Sequence, residues 1–180
     1  MLLQWQNQLE QFRASRDAGF DIYCWAHHYL IDPFQHFQPL PVLARLAAEP
    51  GNMKLATSVL LLPLLNPVDI AEQVATIDHI SEGRFILGLG LGYRPEEFEA
   101  FGTSLKHRAA RNSEALELMI RLWTEDEVTH HGRFFDVSNA RPTASGIVQL
   151  PAGAKAVAIS AGGGHTCAVL DDGRALCFGY

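Results

Sequence analysis

Strand-like apolar runs begin near residues 20, 54 and 84, and each is followed by a stretch with helical spacing. A repeat of about 30 residues is the length of one strand–helix crossover unit, so the chain is committed to parallel strands covered by helices. Phe20–Trp25, Lys54–Leu62 and Arg84–Leu91 are the predicted strands, short and apolar as strands buried on both faces must be. Trp5, Leu9 and Phe12 mark a helix that Ala18-Gly19 closes. Pro33, Pro39 and Pro41 break regular structure before a short helix over Val42–Ala48. Asn66-Pro67 supplies a cap and a first-turn proline for a helix over Val68–Ile80. Further helices are predicted at Pro95–Phe101 and Lys106–Trp123, and one more strand around Arg133–Val137. Eight units of this kind close a barrel of ~250 residues. Three or four make half of one, so the predicted class is α/β, a partial (β/α)8 barrel.

The pattern stops near Thr143. Seven of the 15 glycines lie in the last 35 residues, where only Lys155, Asp171, Asp172 and Arg174 carry charge. So abrupt a shift predicts a partial barrel over 1–143, a linker over 144–153 and a separate fragment over 154–180. Within that fragment Thr166–Leu170 and Arg174–Phe178 are expected to pair as a hairpin across Asp171-Asp172-Gly173.

A net charge of −6 gives no basic face for nucleic acid. The most apolar run, Val59–Leu65, is too short to cross a bilayer and contains Pro63, and no signal peptide is evident, so a soluble, cytoplasmic protein is expected. Cys24 reads as a buried free thiol in a strand, whereas Cys167 and Cys177 stand on opposite arms of the hairpin, where the spacing leaves a disulfide open. No pair of histidines has the spacing of a zinc helix, so no metal is expected.

Two features suggest chemistry. Gly88, Gly90 and Gly92 alternate along the third strand and share one face. Either a flat ring or phosphate lies on that face, or barrel packing requires small residues there; the spacing leaves both open, and Tyr93 breaks the dinucleotide-binding fingerprint. His27 and His28 follow the first strand at its C-terminal end, where parallel barrels place their chemistry. Glu96, Glu97 and Glu99 read as the solvated first turn of a helix, and Asp126 and Glu127 as loop charges.

Beyond these features, an ordered series of short motifs carries a family resemblance. Gly19-Phe20-Asp21, Trp25 with His27-His28, Ala56-Thr57-Ser58-Val59, Asn66-Pro67 and Ile77–Arg84 come first. Gly88–Gly92 with Glu97-Phe98, Phe101-Gly102, Leu122-Trp123 and His131–Phe134 follow. Over about residues 10–143 the chain resembles the luciferase-like monooxygenase superfamily of flavin- or F420-dependent enzymes. The resemblance implies a (β/α)8-type fold, FMN or coenzyme F420 as cofactor and a small organic substrate. It implies His28 as a catalytic or cofactor-proximal group, Ser58-Val59 as a non-prolyl cis peptide behind the cofactor ring, and Gly90 and Gly92 on the cofactor side. His27 takes a position that is usually acidic in this superfamily, and Leu91 one where the bacterial luciferase catalytic subunit has an arginine for the flavin phosphate. The family's first strand and its fifth to eighth are missing, which exposes strand edges through which copies of the chain could associate. The tail resembles one propeller blade of the regulator-of-chromosome-condensation type. The reaction class so implied is monooxygenation or hydride transfer, weakened by truncation. The alternatives are a non-catalytic binding or interaction module, or a fusion-frame product without selected function.

Overall fold

In the computed structural model the described residues are 2–141 and the strands at 156–161, 165–170 and 175–179. β1 (Ile22–Trp25), β2 (Lys54–Thr57) and β3 (Phe85–Ile86) form a parallel sheet in sequence order, with Ile22 opposite Lys54 and Leu55 opposite Phe85. The expected order of three parallel strands is therefore present. The regular strands are shorter than the apolar runs that announced them, and β1 is not buried on both faces, since Ile22 and Cys24 on one side of it are exposed. β2 leaves its ladder at the cis peptide Ser58–Val59, and the chain rejoins β3's continuation at a parallel bridge between Leu60 and Leu89.

Helices α1 (Leu2–Asp17), α2 (Pro39–Ala47), α3 (Pro67–Ile80), α4 (Pro95–Ala100) and α5 (Arg108–Thr124) connect and cover the strands. α1 closes at Gly19, whose φ of +83° a side chain would resist. α2 starts three residues earlier than the prolines suggested. Pro39 and Pro41 fall in its first turn, where the missing N–H groups have no intrahelical acceptor to lose. α3 is capped as anticipated, with Asn66 Oδ1 accepting from Val68 N at 2.9 Å. Ser104 caps only a 3-10 turn over Leu105–His107, accepting from Lys106 N, before α5 begins.

Two apolar clusters result. Phe12 of α1 and Val42, Leu43 and Leu46 of α2 pack on Leu55 of β2. Ile70, Val74 and Ile77 of α3 pack with Leu118, Met119 and Leu122 of α5 over Leu60, Leu62 and Leu89. At the start of β3 the Arg84 guanidinium donates to the carbonyls of Ala47 (2.7 Å), Ser81 (2.8 Å) and Met53 (3.3 Å). These are backbone acceptors that the ends of α2 and α3 and the entry to β2 would otherwise leave open.

The strand expected around Arg133–Val137 does not extend the parallel sheet. β4 (Val128–His131) and β5 (Asp136–Ala140) pair antiparallel in a sheet of their own. Thr129, Asp136, Ser138 and Asn139 cannot be buried on both faces, as a barrel strand requires. Instead Glu114 of α5 ties the hairpin down, accepting from the backbone N–H groups of Arg133, Phe134 and Phe135 and pairing with His130. Burial alone would raise the Glu114 pKa, but the Phe134, Phe135 and Arg133 amides and His130 outweigh it and hold the carboxyl below its ordinary value.

In the tail β6 (Ala156–Ala161), β7 (His165–Leu170) and β8 (Ala175–Gly179) form an antiparallel meander. The expected hairpin is present as β7–β8, with Cys167 directly opposite Cys177 in the register; β6 adds a strand that the sequence reading did not anticipate. The proposed linker at 144–153 and the side chains of Cys167 and Cys177 lie outside the described residues.

Candidate functional site

β1 ends at Trp25 and delivers Ala26-His27-His28-Tyr29 to the rim formed by the C-terminal ends of the three parallel strands. β2 delivers Ser58 and Val59 beside it, with Ser58 N donating to Trp25 O at 2.8 Å. The continuation of β3 contributes residues 88–92. The structure thus brings His28, Ser58, Val59, Gly90 and Gly92 to adjoining strand ends.

The two histidines behave differently. His27 is only 3% exposed, and its Nδ1 accepts from the Leu61 amide at 3.0 Å. A ring nitrogen that accepts must be unprotonated, so the His27 proton sits on Nε2 and the ring is neutral. Burial lowers its pKa to about 4, partly opposed by the neighbouring Gln38 side chain. His27 is a structural acceptor for the turn after β2, a job a carboxylate could also do. That explains how a histidine is tolerated at this position.

His28 is half-buried, and its Nδ1 lies 3.2 Å from Glu97 Oε1. The same oxygen accepts from Tyr29 N at 2.8 Å. The loop is held from further sides: Gln38 Nε2 donates to His28 O, His36 Nε2 to Ala26 O, and Arg94 to the carbonyls of Tyr29 and Leu30. Tyr93 places its ring 6.0 Å from that of His28.

Glu97 corrects the sequence reading. The sequence pattern predicts a solvated first turn for Glu96, Glu97 and Glu99; Glu96 and Glu99 are exposed, but Glu97 is completely buried. Its Oε2 has no hydrogen-bond partner. The signal that distinguishes it is its pairing with Phe98, also buried, in the turn just beyond Gly92: the inward side of a six-residue helix carries one apolar and one acidic residue.

The glycine face is filled rather than bare. A Cβ on Gly88 would lie 2.1 Å from Thr57 O, and one on Gly90 2.1 Å from Val59 Cγ2. Thr57 Oγ1 accepts from Gly88 N at 2.8 Å and donates to Gly88 O at 2.7 Å, closing the two strands together. Close packing is therefore what demands glycine at 88 and 90. Gly92, with φ of +73°, makes the turn towards Phe98. Gly90 acts on the rim by letting the Val59 side chain lie over it.

Two cavities flank this rim without including His28, Ser58 or Val59. One of about 370 Å³ lies between α1 and β1, bordered by Gln4, Gln8, Tyr23, Trp25 and His36. The other, about 210 Å³, is bordered by His27, Gln38, Asp69 and Gln73. The chemistry-bearing groups are instead on an open shelf.

The fit of this shelf to a planar ring cofactor differs at its two ends. Exposed Ser58 and half-buried Val59 and His28 offer a flat edge and a hydrogen-bonding group suited to the ring. On the third strand Leu91 offers no charge to a phosphate, and Arg94 spends its guanidinium on the Tyr29 and Leu30 carbonyls. The ring end fits; the phosphate end lacks a cation on this strand. Among the described residues no cluster of His, Cys, Asp and Glu has the makings of a metal site, and no helix is long and apolar enough to cross a membrane.

Comparison with known proteins adds four results. The model of the luciferase-like monooxygenase family matches residues 3–168. An F420-dependent glucose-6-phosphate dehydrogenase of Nocardia farcinica is 34% identical over 144 residues, covering 71% of this chain and 41% of that enzyme. The crystal structure of monooxygenase RslO1 from Streptomyces bottropensis superposes with a TM-score of 0.68 at 28% identity, covering 81% of this chain and 43% of that one. The oxygenating constituent of 3,6-diketocamphane monooxygenase from Pseudomonas putida, in complex with FMN, shares the fold with a TM-score of 0.70 at 23% identity, over 76% of this chain and 38% of that one. The chain spans less than half the length of each of these relatives.

Proposed function

The chain belongs to the luciferase-like monooxygenase family, and we propose on that basis that it is the first part of an oxidoreductase site for FMN or coenzyme F420 and a small organic substrate. The observation that carries this reading is the convergence of His28, Ser58 and Val59 on one rim, with His28 fixed by a fully buried carboxylate. In this reading the Ser58–Val59 peptide backs the cofactor ring, Gly90 allows Val59 to lie close, and Gly92 turns the chain away beneath it. When bound, FMN would supply oxygen activation and F420 hydride transfer. His28 stands at the ring's edge to orient the ligand and to hold or accept a proton.

Binding by this chain is weak in the same reading. Leu91 offers the phosphate no partner, and each charge-assisted hydrogen bond contributes ~1.5–3 kcal/mol. Losing one or two such contacts moves a Kd up by about one to four powers of ten. Fluorescence titration of FMN and of F420 with the full chain tests both points. Saturable quenching with a Kd in the micromolar range or weaker is expected. No perturbation of either cofactor would overturn the oxidoreductase reading in favour of a non-catalytic binding module. Sub-micromolar affinity would overturn the role given to Leu91. In the tail β6, β7 and β8 pair antiparallel, but the family match runs on through β6 into β7, so a separate propeller repeat is not supported.

A further inference from the structure

Glu97 is the most unusual ionisable group among the described residues. It is a carboxylate with no exposed surface, on a short helix, with one oxygen unpartnered and the other shared between a backbone amide and an imidazole. Removing a carboxylate from water costs several kcal/mol unless its surroundings compensate. Among the described residues no lysine or arginine pairs with it. The His28 side chain lies within hydrogen-bond distance of it, and Tyr29 N donates to the same oxygen. A helix cap or a packing residue would serve as well without charge, so a buried carboxylate aimed at one imidazole nitrogen calls for another explanation.

We propose that Glu97 is the positioning residue of this rim: it holds His28 with the proton on Nδ1, so that Nε2 presents its lone pair as the base. The inference rests on the reading above only in taking His28 as the group that meets the ligand. The geometry supplies the rest. An ionised carboxylate has only acceptors to offer, and Oε1 already accepts from Tyr29 N, so with Glu97 ionised the nitrogen 3.2 Å away that faces it carries the hydrogen. With Nδ1 protonated, the neutral ring has its lone pair on Nε2. When a ligand O–H or N–H transfers its proton to Nε2, the ring becomes an imidazolium and Glu97 faces the new positive charge. The electron pair stays on the ligand heteroatom, so atoms and charge balance. The Gln38 bond to His28 O and the Arg94 bonds to the next two carbonyls keep the backbone of residues 28–30 from rotating the ring away.

The contrast with His27 sharpens the assignment. There Nδ1 accepts from a backbone amide and the proton is on Nε2. Two adjacent histidines are thus set in opposite tautomers by what each Nδ1 meets, one an N–H and the other a carboxylate.

The test is a nitrogen-15 spectrum of the full chain labelled at histidine, recorded without cofactor at about pH 8, where an ordinary imidazole is neutral. The His28 signals are identified by their loss in His28→Gln. The expected result is a directly protonated Nδ1 and a pyridine-type Nε2 for His28, with His27 showing the reverse. A His28 proton found on Nε2 in the unmodified chain would overturn the proposal, with no variant needed. Glu97→Ala should abolish the Nδ1–H signal of His28, and Glu97→Gln, whose amide oxygen can accept the same two hydrogens, should restore it. An unchanged Nδ1–H in Glu97→Ala would also overturn it. Because no cofactor is present, failure here is separate from failure to bind FMN or F420.

Discussion

His27 offers the most direct physical test of how the rim is built. The folded chain holds this ring neutral, with a pKa of about 4 against 6.5 for an ordinary histidine, because it is buried and its Nδ1 is committed to Leu61 N–H. The unfolded chain binds the proton that the folded chain refuses. Stability from this group is therefore complete above about pH 6.5 and is lost as the pH falls through about 4. The gap in pKa corresponds to about 3 kcal/mol at the acid end, a large share of the 5–15 kcal/mol typical of a domain. Other groups titrate in the same range, among them Glu49 and Glu114, both held below their ordinary values, so the unmodified chain alone cannot isolate His27. His27→Asn can. An asparagine Oδ1 can take the Leu61 N–H and carries no titrating proton. Urea unfolding of both chains, followed by tryptophan fluorescence between about pH 7.5 and about pH 4, gives two stability curves whose difference belongs to position 27. The unmodified chain should fall away from the variant by about 2–3 kcal/mol over that interval. Parallel curves would refute the argument: His27 would then not be buried neutral, or Leu61 N–H would not depend on it.

Four other outcomes are expected. Gly90→Ala should cost about 1–3 kcal/mol by forcing its methyl into Val59, and Val59→Ala should relieve much of that, a coupling that a double-mutant cycle in urea measures. Gly88→Ala meets backbone at Thr57 O, so no side-chain change at position 57 should rescue it. Glu114→Ala leaves three backbone N–H groups of the β4–β5 hairpin without their acceptor, and hydrogen exchange at residues 133–135 should accelerate while α3 stays protected. If the chain turns over with a bound cofactor, His28→Ala should impair the rate more than cofactor affinity; equal activity would remove His28 from the chemistry.

The scaffold was readable from sequence because its signals are local. Asn66-Pro67 and Gly19 each set a boundary by their own backbone chemistry, and the spacing of the apolar runs set the order of β1, β2 and β3. What escaped reading depends on distant partners. Glu97 has the sequence context of an ordinary first-turn acid, and only the approach of residues 28 and 29, nearly 70 positions earlier, turns it into a buried acceptor. His27 and His28 are adjacent and identical in sequence, yet an amide from position 61 and a carboxylate from position 97 give them opposite roles. The alternation of Gly88, Gly90 and Gly92 is plain in the sequence, but whether the space belongs to a ligand or to Thr57 and Val59 is a fact of packing. The β4–β5 hairpin was misplaced because an apolar Phe134-Phe135 pair looks like a strand centre, whereas Glu114 makes those residues the turn.

Arg84 bears on how such a chain can be inherited. Its three acceptors span Ala47 to Ser81, so one guanidinium fastens two successive strand–helix units at the end of the sheet opposite His28. Gene exchange that cuts before Pro39 or after Arg84 transfers this fastening whole. A cut between Ala47 and Arg84 leaves the cation in one parent's sequence and some of its carbonyls in the other's, which works only if both parents present the same backbone there. Insertions at the opposite rim, around residues 29–37 or 93–104, disturb none of these bonds. Recombinants of this segment should accordingly survive in blocks whose edges respect the 39–84 interval, while the rim loops diversify freely around a fixed foot.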